Sequence, residues 1–203
     1  FDIYTTDFNG KGIKNLTKSP GYDAEGSYSP DGQWIAFASN RLGYTQTLSP
    51  EDKKMFDRDP SYMMDIYIMK ADGTQVKRLT SAPGYDGGPF FSPDGSRITF
   101  RRFSPDGNTA EVFTIGVDGK DEKQLTHMKA MSWAPFYHPS GDYLIFATNK
   151  MGFGNFELYI VDTEGKQEPV RVSEIEGFDG LPVFTPDGGQ LMWTHAAEKG
   201  EGQ

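Results

Sequence analysis

"YSPDGQWIAF", residues 28–37, returns with small changes as "FSPDGSRITF" (91–100), "YHPSGDYLIF" (137–146) and "FTPDGGQLMW" (184–193). In each stretch Pro presets φ, Asp or Ser bonds the local backbone and Gly accepts positive φ, so the centre is a tight turn between two strands. The turn glycines Gly32, Gly95, Gly141 and Gly188 are separated by 63, 46 and 47 residues, a period near 46 with one insertion. Other landmarks keep phase: "NG", "DG", "DG" and "EG" end at Gly10, Gly73, Gly119 and Gly165, and "LT" at Leu16, Leu79 and Leu125 becomes Val172-Ser173. Several short strands repeating at a period in the forties predict an all-β fold, a β-propeller whose units are four-stranded antiparallel blades.

Each unit reads strand by strand. An innermost strand ends in an aromatic (Tyr28, Phe91, Tyr137, Phe184) and the turn follows. The second strand, "WIAFA", "RITF", "YLIFA" or "QLMW", is apolar on both faces, as expected of a sheet sandwiched between its neighbours. Phe37, Phe100, Phe146 and Trp193 are therefore expected in the core. A third strand ("DIYTT", "DIYIMKA", "EVFTIGV", "ELYIVDT") and a polar fourth complete the unit. A further "FSPDGNT" at 103–109 lies out of phase and reads as a loop turn.

"SPDGQWIAFASNR" followed by "DIYIMKADGTQVKRLT" and "PGYDGGPFFSPDG" resembles the WD-type repeat of TolB-like β-propellers, over nearly the whole chain. The resemblance implies six or seven blades, a periplasmic or extracytoplasmic location, and either protein binding or service as the accessory domain of a secreted peptidase. Only four units are countable. Residues 1–17 supply strands three and four of a unit, and 178–195 supply strands one and two. Pairing these halves would close a four-bladed ring and remove the sheet edges, making 1–203 a single domain; the other reading is an arc of a larger propeller.

Composition narrows function further. A net charge of -9 repels a phosphate backbone, so no nucleic-acid partner is expected. No apolar run approaches the roughly 20 residues of a membrane helix, so no membrane insertion is expected, and a monomer is the default. The absence of cysteine removes disulfides and thiolate chemistry. The chain begins with Phe1 and shows no signal-peptide pattern, as a mature product or a fragment would.

The candidate sites follow from the repeat. Asp23, Asp86 and Asp179 stand in register just before the innermost strands, in "GYDAEG", "GYDGGP" and "GFDGLP", with Ser132 at the fourth position beside Met131 and Trp133. Loops at this position crowd the axis of a propeller, so three carboxylates could ring a channel and hold a divalent cation or a basic peptide group; equally, each could cap amides of its own turn. The insertion at 43–64 falls on the same face, and Ser49-Pro50-Glu51-Asp52 is a helix start. Its Met55, Phe56, Tyr62 and Met63, with Tyr22, Tyr85, Trp133 and Phe178 from the aspartate loops, form the expected partner-binding set; the alternative for the insertion is that these side chains only pin the loop.

Catalytic signals are thin. His127, His138 and His195 occupy different repeat positions without metal-ligand spacing and read as surface or turn residues. "DFNGKG" (7–12) lacks the acidic spacing of a calcium loop, "MGFGNF" lacks a dinucleotide-loop context, and no Gly-x-Ser-x-Gly occurs. The expectation is a non-enzymatic propeller that binds a protein or peptide through the aspartate-loop face, without cofactor beyond a possible channel cation. An accessory peptidase domain is the alternative, and a metal-dependent hydrolase the third reading.

Overall fold

The computed structural model describes residues 1–197; the last six residues of the expected domain lie outside it. The chain runs β1 (Tyr4–Thr5), β2 (Lys14–Asn15), β3 (Asp23–Tyr28), β4 (Trp34–Ser39), α1 (Leu42–Thr45), α2 (Pro50–Arg58), a 3₁₀ turn (Pro60–Met63), β5 (Asp65–Lys70) and β6 (Lys77–Arg78). It continues through β7 (Asp86–Phe91), β8 (Arg97–Phe103), β9 (Ala110–Gly116) and β10 (Lys123–Gln124). The last elements are β11 (Ser132–Tyr137), β12 (Tyr143–Thr148), β13 (Glu157–Asp162), β14 (Val170–Arg171), β15 (Phe178–Phe184) and β16 (Leu191–Ala196). β3–β6, β7–β10 and β11–β14 are three four-stranded antiparallel blades, each in sequence order.

The turn chemistry is as the composition requires. The Ser29 hydroxyl accepts from the Trp34 amide at 2.9 Å and donates to Asp31, while Gly32 holds φ at +68°. Ser92 and Asp94 repeat the arrangement, and so does the out-of-phase Ser104–Gly107 turn, which joins β8 to β9. "DFNGKG" is likewise a hairpin turn, with Asp7 accepting from the amides of Asn9 and Lys11. The "LT" motif has a structural task that the sequence did not reveal. The hydroxyls of Thr17, Thr80, Thr126 and Ser173 accept from the amides of Ile3, Ile66, Val112 and Leu158 at 2.9–3.1 Å, extending the ladder where the fourth strand leaves the sheet.

The core lies between blades, because an apolar sheet can bury both faces only against its neighbours. Ala36, Ile66 and Ile68 of the first blade meet Ile98, Phe100 and Ile115 of the second; Val112 and Leu125 meet Tyr137, Leu144 and Phe146 of the third. Phe37, Phe100 and Phe146 are fully buried, and each pairs with an aromatic on strand three: Tyr67, Phe113 and Tyr159, with centroids 5.7, 5.7 and 6.1 Å apart.

Two expectations are corrected. The ring is not closed by the termini: β1–β2 and β15–β16 are separate two-stranded sheets that do not join into a blade. Each pair packs on its own adjoining blade, Ile3 and Leu16 with Ile35 and Phe37, and Phe178, Phe184 and Leu191 with Ile145 and Leu158. The three complete blades stand between the two half-blades. Trp193 is consequently not core; without a third strand beside β16 it remains 37% exposed, and Met192 67%.

Candidate functional site

The inner strands begin with a buried charge ladder. Asp86 pairs directly with Arg102 across β7 and β8, and its two carboxylate oxygens accept from Nε and Nη2 at 2.7 Å each. Asp23 accepts from Arg41 Nη2 at 3.0 Å, and Asp179 faces His195 Nδ1 at 2.8 Å and accepts from Trp193 Nε1 at 3.0 Å. Ser132 substitutes a hydroxyl pair with Thr148 at 3.1 Å. Asp86 and Asp179 thus face partners on the adjacent strand of their own sheets and Asp23 reaches Arg41 just beyond the end of β4, and no cluster of three or more His, Asp or Glu suited to a metal occurs among the described residues. Nor do these side chains cap their own turns. His195 and His127 are exposed, His195 standing in register with Asp179, while His138 bonds Ser140 within its own turn and packs against Phe184 in a blade junction.

Past the first two residues every inner strand bulges, with Glu25, Gly88, Ala134 and Leu181 at φ between +51° and +62°. At Glu25 the bulge turns a carboxylate toward the second blade, where it accepts from the Gly88 amide (2.8 Å), Arg101 (2.8 Å) and the Tyr85 hydroxyl (3.2 Å). Glycine leaves room opposite: a Cβ on Gly87 would lie 2.6 Å from this carboxylate, which would have to shift. Arg101 also lies over the Tyr85 ring, 4.9 Å from its centroid.

The insertion covers the same end of the blades. Ser49 caps α2 by accepting from the Asp52 amide at 3.1 Å, and buried Phe56 meets Tyr44 of α1 edge-on at 5.0 Å, which holds the two short helices together. Phe56 and Met63 are both buried. Between the insertion and the inner-strand loops lies a basin of about 690 Å³ walled by Tyr22, Tyr44, Met64, Tyr85 and Phe1. A smaller depression of about 300 Å³, lined by Met55, Tyr62, Phe103 and Asp106, adjoins it and shares Ser61 and Tyr85.

Of the expected set, the structure brings together Tyr22, Tyr85, Met55 and Tyr62. Trp133 and Phe178 lie farther along the same face, in an aromatic row in which Tyr85 stacks on Phe103, Phe103 meets Trp133, Trp133 stacks on Phe156 and Phe156 meets Phe178, at centroid distances from 4.9 to 6.5 Å. Tyr44, Phe103 and Phe156 escaped the sequence reading. So did Arg41 and Arg102, which stand at different repeat positions, Arg102 opposite Asp86 in register and Arg41 two residues beyond Ser39, the register partner of Asp23.

No protein-family model matches the chain. A TolB homologue of Chlorobium luteolum is 29% identical over 123 residues, covering 49% of this chain and 28% of that protein. Among solved structures, TolB of Acinetobacter baumannii superposes with a TM-score of 0.72 at 22% identity, over 98% of this chain and 44% of that one. A protein assigned as TolB from Agrobacterium tumefaciens gives 0.71 at 25% identity, over 96% and 66%. The fold is that of a TolB-like β-propeller. The chain spans less than a third of the curated relative it matches.

Within this TolB-like arc the charge ladder continues under the insertion. Asp65, at the start of strand three, lies beside Asp86 of the next blade, and the Arg78 guanidinium stands 2.7 Å from it. Burial pushes the Asp65 carboxyl up to about 7; Arg78 opposes the shift and the Asp86 charge adds to it. Burial likewise holds Asp86 at about 6 against the pull of Arg102. A raised folded-state pKa means proton uptake on folding, so this contribution to stability is full below the unfolded value near 4 and is lost as pH rises through 7. A carbon-13 titration should show the Asp65 carboxyl turning over near pH 7, and Asp65→Asn should flatten the fall in stability between pH 4 and 7. A midpoint below 5 would contradict the burial argument.

Proposed function

We propose that this TolB-like propeller is a non-enzymatic module that binds a protein or peptide through the face carrying the aspartate loops and the 43–64 insertion. The observation that supports this most is the joint construction of the aromatic basin. Tyr22 and Tyr85 come from the inner-strand loops, Tyr44 and Ser61 from the insertion, and Tyr22 remains 38% exposed. Rigid aromatics around a concavity are what protein recognition uses, since they offer large contact area at small entropic cost. The inner aspartates are read as scaffold for that face, since Asp23 and Asp86 are paired with Arg41 and Arg102 and Asp179 is engaged by Trp193 and His195. By the resemblance, the location is extracytoplasmic; no described helix is long and apolar enough to cross a membrane.

A displayed-peptide selection against the whole chain, followed by calorimetry, tests the reading. Tyr22→Ala combined with Tyr44→Ala should weaken a selected peptide by more than about tenfold, as loss of aromatic anchors does. Glu164→Gln, on the turn between β13 and β14 at the opposite end of the blades, should leave affinity unchanged. Equal binding by parent and double variant would move the interface elsewhere.

A further inference from the structure

The repeat lets one blade junction report on another. At the junction between the third blade and β15–β16, the His138 imidazole stacks on Tyr143 at 4.4 Å and meets Phe184 edge-on at 4.8 Å. Its Nε2 lies 3.3 Å from the Gly188 carbonyl oxygen. The positions equivalent to His138, Tyr143, Phe184 and Gly188 at the junction between the first and second blades are Ser29, Trp34, Phe91 and Gly95. The aromatic walls and the turn glycine persist, while the imidazole is replaced by a small hydroxyl. A cavity of about 600 Å³ opens there, with Ile68 and Val117 completing its apolar lining. At the junction between the second and third blades the cleft is polar instead: Arg97 stands in the place of Trp34 and is engaged by Asp121, and the Tyr137 hydroxyl is spent on Thr114. Only the first of these junctions keeps both aromatic walls without a built-in ring between them.

We propose that this cavity, at the end of the blades opposite the aromatic basin, is a binding site for a small planar nitrogen heteroaromatic molecule of the imidazole, benzimidazole or indole class. The ring occupies the place that His138 fills at the third junction, packed on Trp34 and Phe91, with its N–H donating to the Gly95 carbonyl. The size lies within the roughly 300–1,000 Å³ usual for ligand pockets, and the lining joins an apolar wall of Trp34, Ile68, Phe91 and Val117 to a polar side that includes Gln75 and Lys77. Asp31 and Asp94 stand at the rim, each held below the usual carboxylate range by the adjacent Ser29 or Ser92 hydroxyl and by turn amides, and are offset by Lys77 in the lining and by Lys70 over the Trp34 ring, so a neutral ring suits the site.

Benzimidazole is a suitable probe for the whole chain, followed by nitrogen-15 NMR. It should shift the Trp34 indole N–H and the Gly95 amide saturably, and benzofuran, of the same shape without the N–H, should bind about 5–10-fold more weakly, the worth of one hydrogen bond. Ser29→His with Asp31→Ser writes the third blade's turn into the first and should abolish binding by filling the cavity. The reverse exchange, His138→Ser with Ser140→Asp, should open the third junction and add a second site. Equal affinity for benzofuran, parent-like binding by the first double variant, shifts centred on Tyr22 and Tyr44, or no second site in the reverse exchange would each overturn the assignment. Should the first double variant fail to fold, the reverse exchange alone decides.

Discussion

Phe100→Ala should lower the free energy of unfolding by about 3–5 kcal/mol, the range for truncating a fully buried phenylalanine whose neighbours cannot collapse into the void. Phe100 is fully buried in the layer between the first and second blades, among Ala36, Ile66 and Ile98, and stacks on Phe113 at 5.7 Å. Its neighbours lie on ladders from two different sheets, so closing the cavity would require one blade to move against another. Urea melts monitored by circular dichroism measure the loss. Trp193→Ala, at the equivalent position of β16, should cost markedly less because that ring already contacts solvent. A loss at Phe100 below 1 kcal/mol would contradict the interblade core.

The second large effect is electrostatic. Arg102→Met keeps most of the side-chain volume over Phe100 and Phe113 but removes the cation that Asp86 and Glu122 share. Asp86 is 0% exposed, so the variant leaves a buried carboxylate without its partner, at a cost of about 3–5 kcal/mol near pH 8. The cost should shrink toward pH 5. Burial already lifts the Asp86 carboxyl to about 6 with Arg102 present, and without Arg102 it rises further, so protonation relieves the unpaired charge as pH falls. Adding Asp86→Asn should recover much of the loss, because no buried charge then remains. A loss independent of pH, or one below 1 kcal/mol at pH 8, would show that the pair does not carry the strand's start.

How far the residues alone carried each conclusion depends on the range of the forces involved. The turn at Ser29–Gly32, the α2 start at Ser49 and the interior places of Phe37, Phe100 and Phe146 were all legible, because turn bonding, capping and strand alternation act over a few neighbouring residues and the repeat prints them several times. The TolB-like propeller architecture was legible for the same reason. The aspartate register was visible too, yet its partners were not. Whether Asp86 faces a channel or Arg102 depends on the pairing of β7 with β8, and Glu25 finds Arg101 only because a bulge turns it across to the next blade. The basin is likewise a tertiary product, since Tyr22, Tyr44 and Tyr85 meet only when the insertion folds back over two blades. Closure shows the limit most plainly. The halves at 1–17 and 178–195 are complementary strand for strand, but pairing them requires the angles between successive blades to sum to a full turn. Those angles are set by the packing of whole layers, such as Ile66 and Ile68 against Ile98 and Phe100, and no local stretch of sequence encodes them.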